Sequence, residues 1–238
     1  YPEFLHWLPN NSDVIIYTEQ VEKSIKLVNE AALIFCLDFN TLSRINELGE
    51  HIRNAEAVKL MIDHHLEPED FDDYRHWDIN ACAAAQLVYD FIKNELKEEE
   101  LINKDVATCL YTGIMTDSGS FRFPSATSSV YRIAADLIDL GAEHWRIHQL
   151  VYDNASENRL RFLGYCLSNK LEIFREFNYD RHILCKCCLL VLCYLLVSSL
   201  MFLTVTCGIP AKRSCMYFLW LAPVMTTIFL APSLRARL

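Results

Sequence analysis

Two short stretches decide the fold: Leu33-Ile34-Phe35-Cys36-Leu37-Asp38 and Val58-Lys59-Leu60-Met61-Ile62-Asp63-His64-His65. Each is a nearly unbroken apolar run that stops at an acidic residue. Between them, residues 41–55 carry Leu42, Ile45, Leu48 and Ile52 at helical spacing. Strand, helix, strand with continuous apolar strands is the pattern of a parallel sheet buried on both faces. Outward from this core, Val14-Ile15-Ile16-Tyr17 predicts a further strand, and residues 20–30 predict a helix through Val21, Ile25 and Val28. Downstream the pattern is helical over residues 81–96, 104–115, 127–140, 144–152 and 157–171, with Gly141 placed to stop the third of these. The class is α/β, a parallel sheet flanked by helices.

Composition divides the chain in two. All 31 acidic residues and 16 of the 22 basic ones lie in residues 1–180, giving −15 there, against +6 in residues 181–238. The overall charge of −9 excludes a generally basic nucleic-acid-coating protein, although a local cationic groove remains compatible with it. Cys36, Cys82, Cys109 and Cys166 are widely spaced, forming neither a disulfide framework nor a zinc pattern, and fit core positions in a reducing compartment. Six further cysteines fall after residue 180. Residues 187–207 and 216–232 are uncharged, the first long enough for a membrane helix and the second marginal. The tail over residues 178–238 fits either a membrane hairpin or an out-of-frame or mis-joined translation. The chain begins Tyr1-Pro2-Glu3 without an initiator Met and shows no signal-peptide pattern, which points to a start lying further upstream.

The acidic strand ends carry the chemistry. Ligands of open parallel sheets bind outside the carboxyl ends of the strands. Asp38 and the Asp63-His64-His65 triplet stand there, and adjacent histidines gain nothing from packing. Asp117 ends an apolar helix and enters the small-residue loop Ser118-Gly119-Ser120-Phe121-Arg122-Phe123, whose backbone suits phosphate and whose arginine can pair with an anion bidentately. Oxygen and nitrogen donors without thiolate suit Mn²⁺ or Mg²⁺. Two such ions would activate water and share the charge of a phosphoryl transition state. Each aspartate alone also makes an ordinary turn or cap, and it is their joint placement that favours a site. His6, His51, His76, His144, His148 and His182 show no partnered pattern.

Ile62-Asp63-His64-His65 together with Thr112-Gly113-Ile114-Met115-Thr116-Asp117-Ser118-Gly119-Ser120-Phe121-Arg122-Phe123 closely resembles the DHH phosphoesterase superfamily, in its oligoribonuclease and pAp phosphatase branch. Leu37-Asp38-Phe39-Asn40 resembles the second motif of that family. Asn154-Ala155-Ser156-Glu157-Asn158-Arg159-Leu160-Arg161 resembles a later helical segment. The resemblance covers about residues 1–177, which make up a DHH domain incomplete at its N-terminus, followed by the non-homologous hydrophobic tail. It implies Mn-dependent (or Mg-dependent) hydrolysis of short RNA oligonucleotides and of 3′-phosphoadenosine 5′-phosphate in the cytoplasm. No stable protein partner is expected, and membrane association only if the tail is genuine. By resemblance Asp38 bridges two metal ions, and His64 and Asp117 ligate one of them. Asp63 orients the site, His65 contacts the scissile phosphate or the attacking water, and Ser120 and Arg122 lie near the substrate.

The departures are as specific. Nothing ahead of Asp38 matches the first motif, with its His and two Asp. No two of the six glycines are adjacent, so the glycine-rich motif of the second domain is missing, and Ala83-Ala84-Ala85 replaces a more hydroxyl-rich stretch. These departures imply at most one well-bound ion and hydrolysis near background for residues 1–238. The alternative to an enzyme is a non-catalytic remnant or membrane-tethered module.

Overall fold

The computed structural model describes residues 3–153, 155–169, 171–172 and 184–185. The described residues fall into two compact units, one spanning Glu3–His144 and the other beginning at Trp145.

The first unit is α/β. Helix α1 (Val21–Glu30) leads into strand β1 (Leu33–Leu37), then helix α2 (Leu48–Asn54) and strand β2 (Val58–Asp63). Strand β3 (Tyr74–Trp77) completes a parallel sheet of order β1-β2-β3. Register runs from Leu33 opposite Val58 to Leu37 opposite Ile62, and from Leu60 opposite Tyr74 to Asp63 opposite Trp77. The expected buried strands are there because both faces of β1 and β2 meet apolar partners. Ile34, Cys36 and Met61 pack with Val28, Phe39, Leu42, Leu48 and Ile52 on one side. Leu33, Leu37, Leu60 and Ile62 pack with Ala81 and Leu87 on the other. Lys59 is buried within β2 because its ammonium group donates to the carbonyls of Ala55 and Ala57, at 2.9 and 3.2 Å. Burial pushes the thiols of Cys36 and Cys82 up to about 12 and that of Cys109 to about 11, so none of them is a ready nucleophile.

Four local expectations change. Residues 14–17 form no strand, since Ile16 and Tyr17 spend their carbonyls on turn bonds from Glu19 and Gln20, and Tyr17 packs on the core as a side chain. Residues 41–55 form no continuous helix. A 3₁₀ turn, Leu42–Ile45, ends where Asn46 takes a positive φ of 51°, and α2 starts afresh at Leu48. Leu42, Leu48 and Ile52 still reach the same core. Residues 81–96 split into helix α3 (Ala84–Asp90) and a π-helical segment, Phe91–Leu96. Ala83 at the N-cap has no hydroxyl to offer, and Gln86 instead reaches back past it to accept from the backbone N–H of Cys82 at 2.9 Å. Finally, β3 has no counterpart in the sequence reading, because Tyr74-Arg75-His76-Trp77 lacks an apolar run.

Helix α4 (Lys104–Asp117) is capped by Asn103, whose side chain accepts from Asp105 and Val106, and it is buried from Leu110 to Thr116. Helix α5 (Ser128–Asp139) ends as expected at Gly141, where φ is 105°. It is tied to α3 through Tyr89, whose hydroxyl donates to Asp136 at 2.6 Å.

The second unit holds most of helix α6 (His144–Tyr152), helix α7 (Glu157–Asn169) and a short antiparallel pair, β4 (Leu171–Glu172) with β5 (Leu184–Cys185). The proposed boundary at residues 177 and 178 and the two uncharged runs lie outside the described residues. Among the described residues no helix is long and apolar enough to cross a membrane.

Candidate metal and phosphoester site

Parallel strands place Asp38 and Asp63 at the same edge. Asp63 is the last residue of β2, and Asp38 follows β1, its N–H donating to the Ile62 carbonyl at 3.1 Å. Asp38 takes a left-handed φ of 63°, which turns the chain sharply out of the strand. Aspartate tolerates that conformation better than most residues, at a cost that persists mainly where the surroundings enforce it. Asp117 arrives from elsewhere as the final residue of α4.

His64 stands between the carboxylates. Its Nε2 lies 3.6 Å from Asp38 Oδ1 and 3.5 Å from Asp117 Oδ2. Its Nδ1 lies 3.0 Å from the Ala81 carbonyl, an atom that can only accept, so Nδ1 carries the hydrogen and Nε2 presents its lone pair. That is the orientation of a metal-ligating histidine held by an outer carbonyl. His65 is placed differently. Its Nδ1 is 2.7 Å from Asp63 Oδ1, and its backbone N–H donates to Asp63 Oδ2 at 3.2 Å. The fully buried Asp63 thus grips one residue twice, fixing the ring and leaving Nε2 as the nitrogen available for chemistry. The two imidazoles meet edge to face, with centroids 4.8 Å apart.

The electrostatics ask for a cation. Burial, then the charges of Asp117 and Asp63, push the Asp38 carboxyl well above its usual range, against a lowering by Arg44. Burial also pushes Asp117 up to about 6, opposed by His64 and His65 and reinforced by Asp63. Asp38 Oδ1 is buried and has no hydrogen-bond partner. A buried polar atom left without a partner is costly. A divalent ion, bound through carboxylate oxygen and imidazole nitrogen, would satisfy it. Ligand atoms of Asp38, His64 and His65 all lie within 4.8 Å of one another, so this group could hold a metal ion. The sequence expectation named Asp38, His64 and Asp117. The structure brings those three together around His64 Nε2 and adds His65 to the cluster, although its Nδ1 is already engaged by Asp63.

Ser120 and Arg122 lie in the loop that follows Asp117. Gly119, Ser120 and Phe121 all have φ near +60°, the turn being closed by the Ser120 N–H on the Met115 carbonyl at 2.7 Å. The buried Ser118 hydroxyl accepts from the Phe121 N–H at 3.0 Å. Arg122 is exposed, but its Nε donates to the Gly119 carbonyl at 2.7 Å, so part of the guanidinium braces the loop. A Cβ on Gly119 would meet the Phe123 ring at 2.5 Å in a backbone conformation that side chains disfavour. Gly119→Ala is therefore expected to lower stability by about 1–3 kcal/mol, read as a fall in the denaturant midpoint; an unchanged midpoint would mean that the loop relaxes freely.

Residues 1–114 match the family described as DHH family, N-terminal domain. Among curated proteins, the chain is 34% identical over 142 residues to the bifunctional oligoribonuclease and PAP phosphatase NrnA of Thermus thermophilus, covering 60% of this chain and 39% of that protein. The enzyme of the same name from Bacillus subtilis is 26% identical over 141 residues, 59% of this chain and 44% of its own length. Among solved structures, an exopolyphosphatase-related protein from Bacteroides fragilis superposes with a TM-score of 0.71 at 38% identity, covering 74% of this chain and 52% of that one. The chain spans about two fifths of the length of these curated relatives. The names of the curated relatives support a phosphoesterase family.

Proposed function

We propose that the chain carries the metal-binding half of a phosphoesterase that hydrolyses short RNA oligonucleotides and 3′-phosphoadenosine 5′-phosphate. The observation that carries this reading is the buried, unpartnered Asp38 Oδ1 beside His64 Nε2, at the carboxyl edge of a parallel sheet. The names of the Thermus and Bacillus relatives supply the substrate class. In this reading Asp38, His64 and Asp117 hold a divalent ion, Mn²⁺ or Mg²⁺. When bound, the ion supplies Lewis-acid polarisation of a phosphoryl oxygen and a more acidic water. Asp63 holds the His65 ring with Nδ1 protonated, so that Nε2 accepts a proton from water or, once protonated, donates to a phosphate oxygen. Ser120 and Arg122 offer a hydroxyl and a cation to the substrate phosphate from the loop beyond Asp117.

A phosphate-release assay on the full chain with Mn²⁺, using 3′-phosphoadenosine 5′-phosphate and a short RNA, tests the reading. Among the described residues there is one cluster of candidate metal ligands, and two-ion stabilisation of the transition state is forgone without a second. Turnover is accordingly expected well below about 1 s⁻¹, the low end for competent enzymes, but above metal-free protein and lost in His65→Ala. Release that is equal with and without Mn²⁺, or equal in His65→Ala, would contradict the assignment.

A further inference from the structure

The lip of the site carries an aromatic residue that the chemistry above does not use. Trp77 ends β3 directly opposite Asp63 in the register. Its indole Nε1 donates to the backbone carbonyl of His65 at 2.7 Å. The residue whose ring is gripped by Asp63 is thus the same residue whose carbonyl anchors the indole. Trp77 is nonetheless 38% exposed, and Leu66, which follows His65, and Ile79, two residues beyond Trp77, are 69% and 47% exposed. An indole fixed by its one polar atom yet open over much of its surface is a preorganised stacking platform. Bases stack on aromatic rings with little dependence on sequence because every base offers a π-face.

We propose that Trp77 is the base-stacking residue of this site, holding the nucleobase of a phosphorylated nucleoside whose phosphate lies at Asp38, His64 and His65. The proposal rests on the phosphoester reading above and narrows it. A linear inorganic polyphosphate has no use for an indole at the lip, whereas a nucleotide places a flat ring next to its phosphate. Leu66 and Ile79 supply apolar contact at the edge of that ring. Asn40, donating to the Leu66 carbonyl, keeps the loop after His65 in place when no ligand is bound.

Two ligands that differ only in the base test this. Adenosine 5′-monophosphate and ribose 5-phosphate are titrated calorimetrically into the Mn²⁺-loaded full chain. The wild type is expected to bind the nucleotide at least about tenfold more tightly. Trp77→Leu should bring the two affinities together by weakening the nucleotide alone, and Trp77→Phe, which keeps a ring but no N–H, should retain most of the preference. A preference unchanged in Trp77→Leu would place the base elsewhere. Equal weakening of both ligands in both variants would show that the indole only props His65. Either result overturns the proposal while leaving the phosphoester reading standing. Failure of the wild type to bind either ligand would instead overturn the phosphoester reading, and this inference with it. Should Trp77→Leu not fold, tryptophan emission decides: the nucleotide, but not ribose 5-phosphate, should quench the wild type, and that quench should vanish in Trp77→Phe although binding persists. A quench that persists in Trp77→Phe overturns the proposal.

Discussion

Asp38→Asn is expected to yield a folded protein that no longer binds Mn²⁺ measurably. The substitution keeps the shape of the side chain and suits the left-handed φ of 63°, which asparagine tolerates and alanine does not. What it removes is the charge of a carboxylate beside His64 Nε2, whose Oδ1 has no partner of its own. Loss of an outer partner alone typically costs about 10–100-fold in metal affinity, and loss of a ligand should cost more. The same change relieves the repulsion among Asp38, Asp117 and Asp63 that pushes the Asp38 carboxyl upward. The metal-free variant should therefore melt at or above the wild-type temperature near neutral pH. Isothermal titration and a thermal melt together decide the matter. A variant that binds Mn²⁺ as the wild type does would remove Asp38 from the site, and one that fails to fold would make Asp38 a structural residue.

The second large effect is a pH dependence of stability that Mn²⁺ reverses. Burial pushes Asp117 up to about 6 from an ordinary 3.8, and Asp38 moves in the same direction. A carboxyl raised in the folded state holds its proton more tightly there than in the unfolded chain. Its contribution is fully present below about pH 4 and is lost as pH rises through about 6. For Asp117 the shift corresponds to roughly 3 kcal/mol, or several degrees of melting temperature at about 2–4 °C per kcal/mol. Metal binds the deprotonated carboxylates, so stabilisation by Mn²⁺ should be small at pH 5 and largest above pH 7. Asp117→Asn, compared with wild type at each pH, isolates the group from the remaining titration. Metal-free wild type should fall relative to this variant between pH 4 and 7. A constant difference between the two, with an equal Mn²⁺ shift at pH 5 and pH 7.5, would contradict the proposed coupling.

What the sequence made legible follows from where burial is two-sided. β1 and β2 announce themselves because both faces are apolar, and the residues that end them stand at the sheet edge where ligands bind. β3 was missed because Tyr74-Arg75-His76-Trp77 lies at an edge, exposed except at His76, and pairs through its backbone alone. Val14 to Tyr17 misled for the opposite reason: its apolar side chains serve a turn. The break at Asn46 and the π-helical segment after Asp90 depend on tertiary packing that periodicity does not record. At the site, the motif Asp-His-His singles out the residues but not how the two imidazoles divide between their partners. That division appears only when the partner of each Nδ1 is known, Ala81 for His64 and Asp63 for His65. Trp77 carried no sequence signal, since nothing in the spacing tells that its indole meets the His65 carbonyl.

Calorimetric titration of Mn²⁺ into the full chain at pH 6, where an Asp117 carboxyl raised to about 6 still holds a large share of its proton, run in buffers of different ionisation enthalpy, tests the central claim most directly. The geometry predicts one ion per chain, bound with release of protons as the raised carboxyls ionise, and both the binding and the proton release should disappear in Asp38→Asn. An absence of binding, or an isotherm shared by wild type and Asp38→Asn, would contradict a metal site built on Asp38, His64 and Asp117.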